Sequence, residues 1–173
     1  MNLSNRVGRS CCFLGHREIC ETKELKIWLY EVIQRLIVDE EVDSFLFGSK
    51  SCFNSLCYEL VSEIKVKYPQ IKRIYVRAEF PIISVSYKEY LLEKYEDTYY
   101  PASLAGAGRA VYVKRNNEMI NCSQFCVFYC IDEHIPKGRK SGTKQALEYA
   151  RKHNKTIYRF PPSEGAKGSA GES

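Results

Sequence analysis

Ser10-Cys11-Cys12-Phe13-Leu14-Gly15-His16-Arg17 is the stretch that decides the fold. Small and apolar residues run without a break into Gly-His-Arg. A continuous apolar run this short fits a strand covered on both faces, as in a parallel sheet. Gly15 then lets the backbone turn sharply and approach a ligand closely. His16 and Arg17 follow at the carboxyl end of that strand. In open α/β sheets this is the edge where ligands bind.

The rest of the chain repeats the unit. From Glu21 to about Glu41, Leu25, Trp28, Leu29, Val32, Ile33, Leu36 and Ile37 recur at three- and four-residue steps, which predicts an amphipathic helix with Thr22 as its N-cap. Asp43 to Phe47 is a second strand, closed by Gly48. After Ser49, Lys50 and Ser51 comes a helix that ends by Tyr68-Pro69, since proline disfavours helix in the residue before it. Ile71 to Ala78 alternates as a third strand. Tyr87 to Tyr95 predicts a short helix, and Tyr95 to Pro101 reads as a loop. Arg109 to Asn121 is helix-like, and Phe125 to Ile131 is a buried central strand. Ser141-Gly142-Thr143 opens the last helix, and Thr156 to Phe160 is the last strand. Strands alternating with helices predict an α/β, Rossmann-like three-layer α/β/α fold with a mostly parallel sheet of about five strands. Residues 1–160 form one domain on this reading, and the Gly-, Ser- and Pro-rich stretch 161–173 forms a disordered tail.

Composition narrows the function classes. The chain has 173 residues, 45% hydrophobic and 27% charged, with a net charge of +5. That is a mild bias toward anionic partners, weaker than that of a dedicated nucleic-acid binder. No 18-residue apolar segment predicts a membrane span, and the polar N-terminus predicts no secretory leader, so the expected location is the cytoplasm. None of the eight cysteines form a pair with the two-residue spacing of a zinc knuckle. Reduced core thiols are therefore expected, with no metal and no cofactor.

Two turns offer anion-binding chemistry, because free N–H groups and the helix dipole converge at a helix N-terminus. One is Gly48-Ser49 with Ser51, where an anion site and a plain capped turn weigh about equally. The other is Ser141-Gly142-Thr143, where turn, hydroxyls and the cations of Lys137-Gly138-Arg139-Lys140 coincide. Arg115 and Asn116 lie in a polar cluster with two readings, a solvated helix face or a group aimed at the ligand edge. The aromatics from Phe80 through Tyr87, Tyr90, Tyr95, Tyr99 and Tyr100 read either as a base-stacking lid or as a cover for the sheet edge.

These motifs together resemble the SLOG superfamily, in particular its branch of short bacterial proteins of uncharacterised function. The resemblance spans roughly residues 10–160. It rests on Cys12 to Arg17, Phe47-Gly48 with Ser49 to Phe53, Tyr68-Pro69, and Tyr95-Glu96-Asp97-Thr98. It rests also on Lys114-Arg115-Asn116 and on Ser141-Gly142-Thr143 before Ala146 and Ala150. The resemblance implies a Rossmann-like domain for nucleotides or nucleotide-derived signals. Its ligand would sit against Gly15, His16, Arg17, Gly48, Ser49, Ser51, Arg115, Asn116, Ser141, Gly142 and Thr143. The superfamily includes cytokinin-activating phosphoribohydrolases and a DNA-processing protein. Two departures stand out. Asn54 occupies a position where relatives commonly carry an acid. Ala146 stands where the phosphoribohydrolases place a catalytic glutamate, which removes the direct means of stabilising an oxocarbenium-like transition state.

Three functions follow as expectations. The first is a module that binds a nucleotide-type small molecule for sensing or sequestration. The second is a nucleotide N-glycosidic hydrolase, with His16 and an acid from Glu79, Glu96 or Asp97 in proton transfer. The third is a nucleic-acid binder using Lys65, Lys67, Lys72 and Arg73 or the 137–140 loop. A homodimer through helix faces is also expected, with Trp28 and Tyr30 as an exposed apolar patch.

Overall fold

A computed structural model describes residues 8–134, 137–138 and 141–162. Most of the sequence-predicted tail, from residue 163 onward, and the Arg139-Lys140 pair lie outside the described residues. The elements in chain order are β1 (Ser10–Gly15), α1 (Lys23–Val38), β2 (Ser44–Phe47), α2 (Cys52–Lys65), β3 (Lys72–Val76) and α3 (Val85–Lys94). They continue with β4 (Asp97–Tyr99), α4 (Val111–Asn121), β5 (Phe125–Tyr129), α5 (Gly142–Lys152) and β6 (Thr156–Phe160).

The six strands form one sheet in the order β4-β3-β2-β1-β5-β6, and every neighbouring pair is parallel. The chain steps outward from β1 to β4, then returns across the sheet to β5 and β6. Right-handed crossovers require the helices to change face where the direction reverses. They do: α1, α2 and Leu91 of α3 pack on one face, α4 and α5 on the other. Successive strand residues point to opposite faces. Cys11 and Phe13 of β1 therefore enter the α1–α2 core, while Cys12 and Leu14 enter the α4–α5 core.

The sixth strand corrects the sequence reading. Asp97–Tyr99 was expected in a loop, yet it pairs with Ile74 to Val76 at the sheet edge. Three residues with an acid at the start carry no readable alternation. The cap of α1 matches its expectation: Thr22 Oγ1 accepts the Leu25 N–H at 3.1 Å. Five cysteines are buried, but Cys20 and Cys52 are exposed, so the core-thiol reading covers only part of the set. The expected patch on α1 shrinks as well. Trp28 packs against Phe160 with ring centres 5.4 Å apart, which leaves Ile27 and Tyr30 exposed there. Among the described residues, no helix is long and apolar enough to cross a membrane.

Candidate functional site

A cleft of about 670 Å³ opens at the carboxyl edge of the sheet. Its size falls within the usual range for small-molecule sites. The ends of β1, β2 and β3, the first turns of α4 and the N-terminus of α5 all contribute to its wall. Gly15, His16, Arg17, Gly48, Ser49, Ser51, Arg115, Asn116, Ser141, Gly142 and Thr143 all line it.

Arg115 is the dominant group. It comes from the second turn of α4 and is only 5% exposed. Its Nε donates to Asn116 Oδ1 at 3.0 Å, and its guanidinium lies 5.9 Å from the Tyr112 ring centre. No carboxylate among the described residues pairs with it, and its terminal nitrogens make no hydrogen bond there. Burial pulls the guanidinium below its ordinary value, against the opposing pull of Tyr75, Glu79 and Tyr112. Burying a charge without a counter-ion is unfavourable. An anion in the cleft would offset that cost.

Gly48 makes room for this arginine. A Cβ there would stand 2.7 Å from Arg115 Cδ and 2.7 Å from Met119 Sδ. Gly15 is also a matter of space. The Phe53 ring occupies the position its Cβ would take, and the backbone does not enter the left-handed region. The expectation of a conformational role for Gly15 is thus replaced by a packing one.

The two helix N-termini differ. At α2, Asn54 is buried, and its Oδ1 accepts from Gly48 N–H at 3.3 Å and Ser49 N–H at 3.4 Å. Its Nδ2 donates to Phe13 O at 3.1 Å, and Cys52 N–H donates to Arg17 O at 2.8 Å. An uncharged amide clamps β1 to the β2 turn and takes the Gly48 and Ser49 N–H groups. At α5, Ser141 Oγ accepts the Lys144 N–H at 3.3 Å. The Gly142 and Thr143 N–H groups precede the first intrahelical bonds and donate to no described partner. The second turn keeps the N–H groups of both of its first two helical residues, whereas at α2 the first of these, that of Cys52, donates to Arg17 O.

His16 is engaged by the sheet. Its ring Nε2 lies 3.0 Å from Ile131 N and 3.2 Å from Ile131 O, and its backbone N–H donates to Tyr129 O at 3.3 Å. Either as acceptor from Ile131 N–H or as donor to Ile131 O, Nε2 is tied to the Ile131 backbone. The side chain latches the end of β1 to the end of β5, so Nε2 is not open for proton transfer. Asp97 and Glu96 lie at the amino edge, away from the cleft, beside Lys65 and Lys72 in a second hollow. This overturns their candidacy as lid acids. Glu79 does line the cleft.

The sequence-predicted lid tyrosines do not line it. Tyr95 packs among Tyr58, Tyr75 and Phe47, with ring centres 5.1, 5.2 and 6.0 Å away. Tyr87 stacks on Tyr90, and Tyr99 is buried. The cleft's aromatics are Tyr75 and Tyr112, both missed by sequence reasoning. Tyr112 sits three and four residues before Arg115 and Asn116, the spacing of one helix face, and that signal was present. Burial raises the Tyr75 phenol, which keeps it protonated, and its hydroxyl makes no hydrogen bond among the described residues. Two of the four cations named in the basic run, Lys65 and Arg73, are engaged within the fold. Lys65 donates to Pro69 O and Ile71 O, and Arg73 forks onto Glu96.

No protein-family model matches this chain, and no match is found among curated proteins.

Proposed function

We propose that the chain is a binding module for a nucleotide-type small molecule, seated at the carboxyl edge of a parallel sheet. The observation that carries this is Arg115, a buried cation with no carboxylate, lining a cleft of ligand size. A phosphoryl group would take the two terminal guanidinium nitrogens, for which Arg geometry is suited, and the Gly142 and Thr143 N–H groups. The lining residues carry three cations, Arg17, Lys50 and Arg115, against one carboxylate, Glu79. Tyr112 offers an exposed ring at the rim for a base. The resemblance to the SLOG superfamily agrees with this reading, and a cytoplasmic bacterial sensor or sequestering protein is its natural setting.

Binding without turnover is the expected chemistry. Ala146 is buried, and His16 Nε2 is held by Ile131. The test is calorimetric titration with adenosine 5′-monophosphate, followed by chromatography of the recovered ligand. Saturable binding with the nucleotide recovered intact supports the module. Release of free adenine converts the reading to the hydrolase, and absence of binding across a panel of nucleotides overturns both.

A further inference from the structure

Glu79 raises a question the anion site leaves open. It is the one carboxylate among the described residues that line the cleft, and it stands in a site otherwise selected for negative charge. It is near enough to Arg115 and Tyr75 to act on both electrostatically. Yet it forms no ion pair with Arg115 or with any other described cation. Elsewhere in the molecule Arg73 and Glu96 close the same kind of gap to 2.8 Å. An acid that only repelled phosphate would weaken the site. One that neutralised Arg115 would abolish the cation's purpose. Unpaired with each other, the two opposite charges line one cavity. A ligand that satisfies both has an anionic group at one end and hydrogen-bond donors at the other.

Resting on the reading of the cleft as a nucleotide site, we infer that Glu79 is a specificity-determining residue that accepts hydrogen bonds from the neutral, donor-bearing part of the ligand. In a nucleotide those donors are the ribose hydroxyls or an exocyclic amine of the base. Both present N–H or O–H to an acceptor-only carboxylate. Free phosphate and a full nucleotide then respond to Glu79 with opposite sign. Phosphate sees only repulsion, whereas the nucleotide gains a charge-assisted bond.

The experiment titrates wild type and Glu79→Gln with inorganic phosphate, adenosine 5′-monophosphate, its 2′-deoxy analogue and inosine 5′-monophosphate. Glu79→Gln is expected to leave phosphate binding unchanged or tighter and to weaken adenosine monophosphate about tenfold. Loss of discrimination against the deoxy analogue assigns the carboxylate to the ribose. Loss against the inosine analogue assigns it to the amine. If the variant tightens nucleotide and phosphate alike, Glu79 is a repulsive bystander and the inference is overturned, with the anion site intact. If wild type binds neither phosphate nor nucleotide, the binding-module reading fails and this inference fails with it.

Discussion

Arg73 and Arg115 occupy opposite edges of the same sheet and live under opposite rules. Arg73 lies at the amino edge. Its Nε and one terminal nitrogen fork onto Glu96 at 3.1 and 2.8 Å, and its other terminal nitrogen donates to Ser62 Oγ at 2.8 Å. The hydrogen bond to Glu96, above all, raises the Arg73 guanidinium above its ordinary value. Arg115 is the more deeply buried, and burial lowers it. One arginine has all three guanidinium nitrogens engaged by the fold. The other has one used and the rest turned over to the cleft. The difference separates a residue that holds the structure from one that the structure holds in readiness.

The strongest way to break this contrast is to remove Arg115. Arg115→Ala is expected to lower affinity for adenosine monophosphate by more than about a hundredfold, since two charge-assisted hydrogen bonds at ~1.5–3 kcal/mol each disappear. Arg115→Met, which keeps the volume, is expected to unfold at or above the wild-type temperature, because an uncompensated buried charge is gone. A clear loss of thermal stability in the methionine variant would show that Arg115 is structural after all. The reciprocal change sharpens the comparison. Arg73→Ala should cost about 1–2 kcal/mol in a urea melt, a value discounted for the partial exposure of the Glu96 pair, and leave nucleotide affinity unchanged. An affinity loss there would mean the two edges are coupled.

The smallest effect lies in acid. Burial pushes the Glu96 carboxyl up, but the hydrogen bonds and charge of Arg73 more than reverse this, so it sits below its ordinary value of 4.5. Between the folded and unfolded values the unfolded chain binds more protons, so stability rises with pH there. The contribution is complete above 4.5 and is lost as pH falls through the lowered folded value. Melts of wild type and Arg73→Ala from neutral pH into this window should converge. Parallel curves would remove Glu96 from the account. Arg115, with no paired carboxylate among the described residues, adds nothing in this range.

Much of the architecture was legible from residues alone. The apolar runs at 11–14 and 125–131 gave buried central strands, and glycine-ended strands placed the cleft wall at one edge. β4 was not legible, because a three-residue edge strand shows no period and borrows its register from β3. The site was legible as a set of polar residues but not as an electrostatic arrangement. Nothing in the sequence says that Asn54 reaches Phe13 O, 41 positions away, or that Ile131 captures His16. Those bonds join residues that only the crossovers bring together. The Asn54 side chain takes two backbone donors of the Gly48-Ser49 turn, and the Ile131 backbone takes His16 Nε2. Tyr95 stays open between lid and packing in the sequence for a related reason: aromatic residues in an irregular stretch look the same whether they face a ligand or fill the gap between Tyr58 and Tyr75.

Gly48 and Arg115 compete for one volume. They are therefore an epistatic pair, and the order in which they change matters. While the arginine is present, any larger residue at 48 displaces it, so the glycine is fixed by a partner 67 positions away in sequence. Once the arginine is lost, Met119 Sδ is the remaining close neighbour at 48, and a small side chain there fills part of the space left behind. A lineage that gave up the ligand would thus be free to close the cleft with a single further substitution, and reopening it would require reversing both.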